Sequence, residues 1–325
     1  MKNKRKLLLT ISWLAVTVLF FFCFRHIEWA RVWKEIGSLN SSWVALAIII
    51  NLFVLGFWAL QWQVFLPEDY SVSFSRMIEV VALISMTLNT VPFFAGHLLG
   101  VVLLWKREQI SSAAAVSVMS LDQLSRGLAK VLLFLLLAFF TPTPGWMKNG
   151  ILLVTIAVLS LFALLYAFAR RYRDKPLHGE NVAGSAISRA TDFVGRWARY
   201  LEALRSARHF CLGIVLAVAM KGAEASAIWS VQKAFGISLP LWSVLLVLAA
   251  LSLVTMVPVS PGNLGIYEAV VFFIYQYMGV PPEQALGISL VQHVCYLFPL
   301  VGAGYVYIIV RYLSPRKQVN LSPSA

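Results

Sequence analysis

Val257-Pro258-Val259-Ser260-Pro261-Gly262-Asn263-Leu264 breaks an apolar stretch that would otherwise continue as one helix. The same V-P-x-x-x-G-x-L pattern stands 166 residues earlier, as Val91-Pro92-Phe93-Phe94-Ala95-Gly96-His97-Leu98. Proline removes a backbone donor and glycine relaxes the turn, so each break frees peptide groups. Hydrocarbon offers such groups no partner. At membrane depth they are tolerated only where protein or a wet cavity surrounds them. Paired breaks at matching positions in two halves of a chain point to a transport site between repeats.

The composition around the breaks is that of a membrane protein. Of 325 residues, 60% are hydrophobic and 13% charged, against about half and a quarter in a soluble protein. Several apolar stretches exceed the roughly 20 residues that cross a bilayer. The chain reads as a single all-α polytopic membrane domain, with almost nothing left for a soluble one. The net charge of +13 would suit nucleic acid, but the basic residues cluster in loops, where the positive-inside rule places them. Nucleic acid is therefore not an expected partner. Lys2, Lys4, Arg5 and Lys6 precede apolar residues 7–24 as in a signal peptide, yet no small-residue cleavage site follows. That predicts an uncleaved first span. Cys23, Cys211 and Cys295 lie in or beside apolar segments without paired spacing, so neither disulfides nor a metal is expected.

Hydropathy places spans at 7–24, 43–66, 112–140, 149–169, 210–235 and 284–311. The shorter pieces 76–91, 97–105, 241–257 and 263–278 flank the two breaks. Residues 97–105 would rise only about 14 Å as helix, half of a hydrocarbon core. Segments 76–105 and 241–278 are therefore expected to be re-entrant hairpins. The fold becomes six full spans plus two hairpins, about eight crossings by hydropathy. Lys2 to Lys6, Arg76, Lys106, Arg107, loop 170–208, Arg311, Arg316 and Lys317 then share one side, and Arg25, Arg31, Lys34 and Lys148 the other. This asymmetry predicts both termini in the cytoplasm, with 312–325 as a short tail.

Span, hairpin, span occurs in 43–140 and again in 210–311. Ser120-Leu121-Asp122-Gln123 and Ser289-Leu290-Val291-Gln292 share S-L-x-Q at nearly the same offset. One connecting span, 149–169, lies between the copies and would invert the second. The hairpins are then expected to enter from opposite faces. The one sizeable polar segment, 170–208, carries nine Lys/Arg against four Asp/Glu. Within it Ile187, Ala190, Val194, Trp197, Leu201 and Leu204 recur at helical spacing, opposite Arg189, Asp192, Arg196, Arg199 and Glu202. An amphipathic helix on an anionic inner leaflet fits this pattern; a solvated basic connector is the plainer alternative.

The second break carries a resemblance. Pro258, Gly262, Gly265 and Glu268 fall as in the P-x-x-x-G-x-x-G-x-x-E signature of the lysylphosphatidylglycerol synthase transmembrane family, also called flippase-like or UPF0104. Residues 285–299 resemble that family's last span, and the likeness covers nearly the whole chain. It departs in the first half. An acidic residue after the first glycine, and a basic one three further on, are replaced by His97 and Gly100. The family's acidic-Arg-x-x-acidic pattern appears here as Asp122-Gln123-Leu124-Ser125-Arg126. The resemblance implies a lipid-related membrane protein. Some members carry a soluble domain that attaches lysine to phosphatidylglycerol. This chain ends 14 residues after its last expected span, so no synthase activity is expected.

Ionisable side chains inside a bilayer cost about 2.5–3.5 kcal/mol each on insertion scales, and they usually face a cavity or each other. Glu268 is the leading candidate, one to two turns into a half-helix beginning near Asn263. The free N–H groups of that helix would suit an anionic headgroup. Glu268 itself would gate or carry a proton, or serve as a structural carboxylate. Lys221 and Glu224 are spaced to pair on one helix face, with Lys221 a candidate phosphate ligand. Asp122, Arg126 and Lys130 form an i, i+4, i+8 stripe too polar for lipid. Arg126 either pairs with Asp122 or grips a lipid phosphate. His97 opens the first short helix, at the site equivalent to Asn263, and is either structural or a proton relay. His293 and Glu79 rank below these. No G-x-S-x-G, H-E-x-x-H, Walker loop or Cys/His metal cluster is present.

The expected function is movement of an amphiphilic phospho- or polyprenyl-linked lipid between inner-membrane leaflets, without enzymatic chemistry or cofactor. Membrane lipids with anionic headgroups are the expected ligands, and a lipid-modifying enzyme a possible partner. A membrane-embedded enzyme or accessory subunit in lipid or glycolipid modification is the alternative.

Overall fold

The computed structural model describes residues 25, 27–91, 95–140, 143–172, 186–201, 204, 206–256 and 260–313, with 186–189 as backbone alone. The first span expected at 7–24, Cys23, Pro92, Pro258 and the tail from residue 314 lie outside these. The elements are α1 (Trp29–Gly37), α2 (Ser41–Phe65), α3 (Phe74–Thr90), α4 (Ala95–Val102, continued by a π-turn at Leu103–Arg107), α5 (Ser112–Phe140), α6 (Gly145–Arg171), α7 (Ala186–Arg199), α8 (Ala207–Ala234), α9 (Trp242–Val254), α10 (Ile266–Tyr277) and α11 (Pro282–Leu313). A single 3₁₀ turn, Pro261–Asn263, lies between α9 and α10. Among the described residues five helices, α2, α5, α6, α8 and α11, are long and apolar enough to cross a membrane.

The ends of these helices follow local chemistry. Asn40 caps α2 by accepting the Ser42 N–H at 3.0 Å, which satisfies one of the orphan donors of a first turn. Near the inner ends of α3 and α9 short polar side chains bond back onto carbonyls of their own helix. Thr87, Asn89 and Thr90 each donate to the carbonyl four residues back, at 2.8 Å. Thr255 does the same to Leu251 at 2.7 Å. Helices α4, α9 and α10 have 8, 13 and 12 residues, so none rises more than about 20 Å.

Two quartets, α2–α5 and α8–α11, form the body of the bundle, and α6 packs against α5 and α9. Each contact has a counterpart when the quartets are exchanged. Thus α2 packs on α8, α3 on α11 as α9 on α5, and α2 on α11 as α8 on α5. The chain runs antiparallel across the α2–α8 joint: Asn40 N–H donates to the Ala234 carbonyl at 2.9 Å at one end, and Gln61 Nε2 to the Gly213 carbonyl at 2.7 Å near the other. Gln63 ties the end of α2 to Val72 just before α3. Gln232 ties the end of α8 to Ser243 in α9. The two hairpins therefore enter from opposite ends of the bundle. Arg76, Lys106, Arg107, Arg170, Arg171 and Arg311 mark the end from which α3 starts.

One departure from the hydropathy reading is α1, a short helix that no apolar stretch announces. Its Val32 is buried while Trp33 is 62% exposed. Another is α7. Its apolar face is expected on lipid, yet the helix packs on α5 and α6. Trp197 Nε1 donates to Ser120 Oγ at 3.2 Å, and Ala198 and Leu201 are fully buried. Ala190 follows the expected face by spacing but is exposed.

Pro299 lies inside α11. A proline there cannot donate to the carbonyl four residues earlier, that of Cys295. The buried Asn51 of α2 supplies the missing donor: its Nδ2 reaches the Cys295 carbonyl at 3.1 Å and its own Ala47 carbonyl at 3.0 Å. Replacing Asn51 with leucine is expected to lower stability by about 0.6–1.7 kcal/mol, from the average to the largest interhelical hydrogen bond found within a membrane protein. Thermal unfolding in detergent would register it, and an unchanged midpoint would remove Asn51 as the partner of the kink.

Candidate functional site

The second break meets the inner end of α3, just before the first break. Gly262 has φ +59°, and a Cβ there would stand 3.1 Å from the Asn89 carbonyl oxygen at the inner end of α3. Gly265 has φ +83° and Asn263 φ +55°. Three left-handed residues in four turn the chain back on itself, which glycine alone does without steric penalty. In the first hairpin, glycine allows close packing of the arms. A Cβ at Gly96 would fall 2.8 Å from the Leu88 backbone nitrogen, and one at Gly100 2.8 Å from Ile84 and Trp62 side-chain atoms.

Glu268 stands in the first turn of α10, not one to two turns inside. The left-handed Gly265 restarts the helix at Ile266, three residues later than the sequence suggests. At this N-terminus the Gly265 N–H donates to Glu268 Oε2 at 2.7 Å, so one of the donors expected to suit a headgroup is taken by the protein's own side chain. The other oxygen, Oε1, lies 2.7 Å from His293 Nδ1. His293 Nε2 lies 2.9 Å from the Gly262 carbonyl. One imidazole thus joins α11 to both sides of the second break. Asn263 remains in the 3₁₀ turn, and its Oδ1 has no hydrogen-bond partner among the described residues.

A buried polar chain continues from there. The Tyr267 ring stacks on His293 at 4.1 Å. Gln292 Nε2 donates to Tyr267 Oη at 2.9 Å, and Gln232 Nε2 donates to Tyr275 Oη and to Ser243 Oγ, each at 3.1 Å. Gln292, the last residue of the S-L-x-Q match, is therefore a network residue.

The second group lies at mid-span. Arg126 is the fifteenth of 29 residues in α5, and Lys221 the fifteenth of 28 in α8. Arg126 Nε donates to the fully buried Asp122 at 2.9 Å, and Gln123 donates to the other Asp122 oxygen at 3.3 Å. The Arg126 guanidinium lies 4.1 Å over the Trp58 ring. Its Nη2 is buried without a hydrogen-bond partner among the described residues. Lys221 pairs with Glu224 at 2.5 Å. Lys130 feels both of them and Arg126, and His97 feels Asp122 and Arg126. The cluster brings together three basic side chains, Arg126, Lys130 and Lys221, and two carboxylates, Asp122 and Glu224. Tyr296 stacks with Tyr267 and is coupled electrostatically to Glu224 and Arg126.

The structure thus unites Asp122, Arg126, Lys221, Glu224 and His97 around one region and places Glu268, Gly262 and Gly265 at the neighbouring break. Two residues gain weight over the sequence reading: His293, ranked low there, and Trp58, absent from it. Intramembrane histidine is rare enough to be a signal; a lipid-facing and a cation-facing tryptophan look alike in sequence. A further cluster joins α3 to the π-turn, where Arg107 pairs with Glu79 and with the buried Glu108, and Arg107 also faces the Tyr307 ring of α11. Among the described residues no group of three His, Cys, Asp or Glu is arranged to hold a metal.

Comparison with known proteins identifies a membrane-protein family. The family described as lysylphosphatidylglycerol synthase TM region matches residues 7–304. A UPF0104 membrane protein of Methanothermobacter thermautotrophicus is 21% identical over 329 aligned positions, which cover 93% of this chain and 92% of the relative. With that match spanning most of its length, the chain belongs to the lysylphosphatidylglycerol synthase TM region family, as a polytopic membrane protein of lipid handling.

Proposed function

We propose that this protein moves an amphiphilic lipid with an anionic, phosphate-bearing headgroup between the leaflets of the inner membrane, with both termini cytoplasmic and no chemical change to the lipid. The observation that carries the reading is the buried Arg126 Nη2 at mid-span, a donor without a hydrogen-bond partner among the described residues, beside the further basic side chains Lys130 and Lys221. A buried guanidinium donor left without an acceptor at that depth is unfavourable, and an anionic oxygen would satisfy it. Arg126 is suited to bidentate phosphate recognition and Lys130 and Lys221 to point-charge attraction. Opposed hairpins touching at their tips support alternating access, one quartet rocking against the other. Phosphatidylglycerol is the first lipid to try, and an enzyme that modifies the same lipid is the natural partner.

The test is reconstitution in liposomes with fluorescent phosphatidylglycerol, following loss of signal to an impermeant quencher. Lys130→Gln, and the charge-balanced pair Lys221→Gln with Glu224→Gln, are each expected to slow exchange about tenfold, equivalent to about 1.4 kcal/mol in the barrier. Wild-type rates in both would remove the cationic site. Mass spectrometry of the same lipids separates transport from catalysis, since a chemically altered headgroup would favour a membrane-embedded enzyme.

A further inference from the structure

We propose that Glu268 and His293 together form a proton-binding site and that lipid movement by this protein is coupled to proton flow through it, an inference that rests on the translocation reading. The geometry sets the proton count. A carbonyl oxygen only accepts, so the 2.9 Å contact between His293 Nε2 and the Gly262 carbonyl requires a hydrogen on Nε2. At His293 Nδ1, 2.7 Å from Glu268 Oε1, an ionised carboxylate and a bare ring nitrogen would both be acceptors. One further proton lies between them. The pair is then either an imidazolium with a carboxylate or a neutral imidazole with a carboxylic acid, and as a unit it is neutral in both forms.

Neither gain nor loss of a proton leaves this arrangement intact. On loss, the imidazolium of His293 gives one H⁺ to a water molecule. Hydronium forms, and the site keeps a neutral imidazole protonated on Nε2 beside the ionised carboxylate of Glu268. Two lone pairs then face each other at hydrogen-bond distance. On gain, a second proton must take Glu268 Oε2, which already accepts the Gly265 N–H, or Oε1, which already holds the His293 bond. The side chains are only 3% and 7% exposed, so water does not compensate. Either change loosens His293 from the second break, whose Gly262 rests on Asn89 of the first hairpin. Proton occupancy and closure of the two tips are thereby one equilibrium.

Other titratable groups do not take over this role. On α10 and α11 the neighbours are Tyr267, Tyr275 and Tyr296; from α8 and α5 the site is approached by Glu224 and Arg126. Glu224 is held by Lys221, and Arg126 by Asp122. Helices α2 and α9 contain no ionisable residue, and those of α3, Arg76 and Glu79, lie at its far end.

The experiment uses the full chain in vesicles containing fluorescent phosphatidylglycerol, with pH differences of either sign imposed across the membrane. The wild-type rate should change about tenfold when the sign is reversed, while Glu268→Gln and His293→Gln lose that response. In parallel, infrared difference spectra of the detergent-purified wild type, titrated with acid and base, should show carboxyl and imidazole bands changing together. Wild-type lipid movement that ignores the pH difference overturns the proposal, as does a response retained by both variants, or carboxyl and imidazole bands that change at separate pH values. If the wild type moves no lipid, the translocation reading and the coupling fall together. The spectra then decide the proton site alone, joint change upholding it and separate change removing it. Should the variants fail to fold, the wild-type gradient response and spectra decide between these outcomes.

Discussion

An Arg126→Ala variant is expected to lose about 3–5 kcal/mol of stability, the cost of stranding one member of a buried ion pair. Asp122 is fully buried and bonded to Arg126 Nε, and the weaker Gln123 contact at 3.3 Å does not neutralise it. Arg126 also covers the Trp58 ring, so its removal opens space as well as charge. Neutralising both partners, Asp122→Asn with Arg126→Gln, should recover most of the loss, because no charge is left behind. Unfolding of the purified protein by titrated dodecyl sulfate gives both numbers. Equal stability of Arg126→Ala and wild type would mean that Asp122 is already protonated in place, and the cationic site would need another origin. The double variant, folded but lacking its guanidinium, should still fail to exchange lipid, which separates the role of Arg126 in folding from its role in binding.

The second large effect is steric. A Cβ on Gly304 would lie 2.5 Å from the Met86 Cβ and 2.8 Å from the Ala82 carbonyl oxygen. The oxygen belongs to the interior of α3 and cannot turn aside, so α3 and α11 must separate. Gly304→Leu is expected to cost about 3 kcal/mol, the upper end of ordinary overpacking. Gly302, two residues earlier on the same helix, has open space around its missing Cβ, and Gly302→Leu should stay within about 0.5 kcal/mol of wild type. The contrast between the two leucines, measured by thermal unfolding in one detergent, is the test. Equal midpoints would show that α3 does not lean on α11 at this depth.

Much of the architecture is legible in the chain because bilayer-crossing helices are written locally. Hydropathy places α5 at its observed bounds, 112–140, and the prolines and glycines of the two breaks mark the hairpins. Pairs on one helix are equally accessible: Asp122 with Arg126 and Lys221 with Glu224 follow from spacing alone. What spacing cannot supply is the partner across the bundle. Glu268 and His293 are 25 residues apart, on different helices, and nothing in the local pattern of either names the other. The contact of Gly262 with Asn89 is of the same kind. The basic helix α7 shows a third limit. Its amphipathic period is readable, but period reports only that one face avoids water, and here the dry side is largely the ends of α5 and α6.

The side-chain amides of α2 have a consequence for synthesis. Asn51 finds its acceptor on Cys295, 244 residues further along the chain, and Gln61 finds Gly213, 152 residues on. At the usual pace of translation Asn51 waits about 10–50 s for that partner. Until then the Asn51 amide has only the Ala47 carbonyl of its own helix, and Gln61 lacks its acceptor on α8. A nascent chain halted after the first quartet is therefore an unfinished product of a recognisable kind, one that membrane quality control can distinguish from the completed bundle by two amides without their interhelical acceptors.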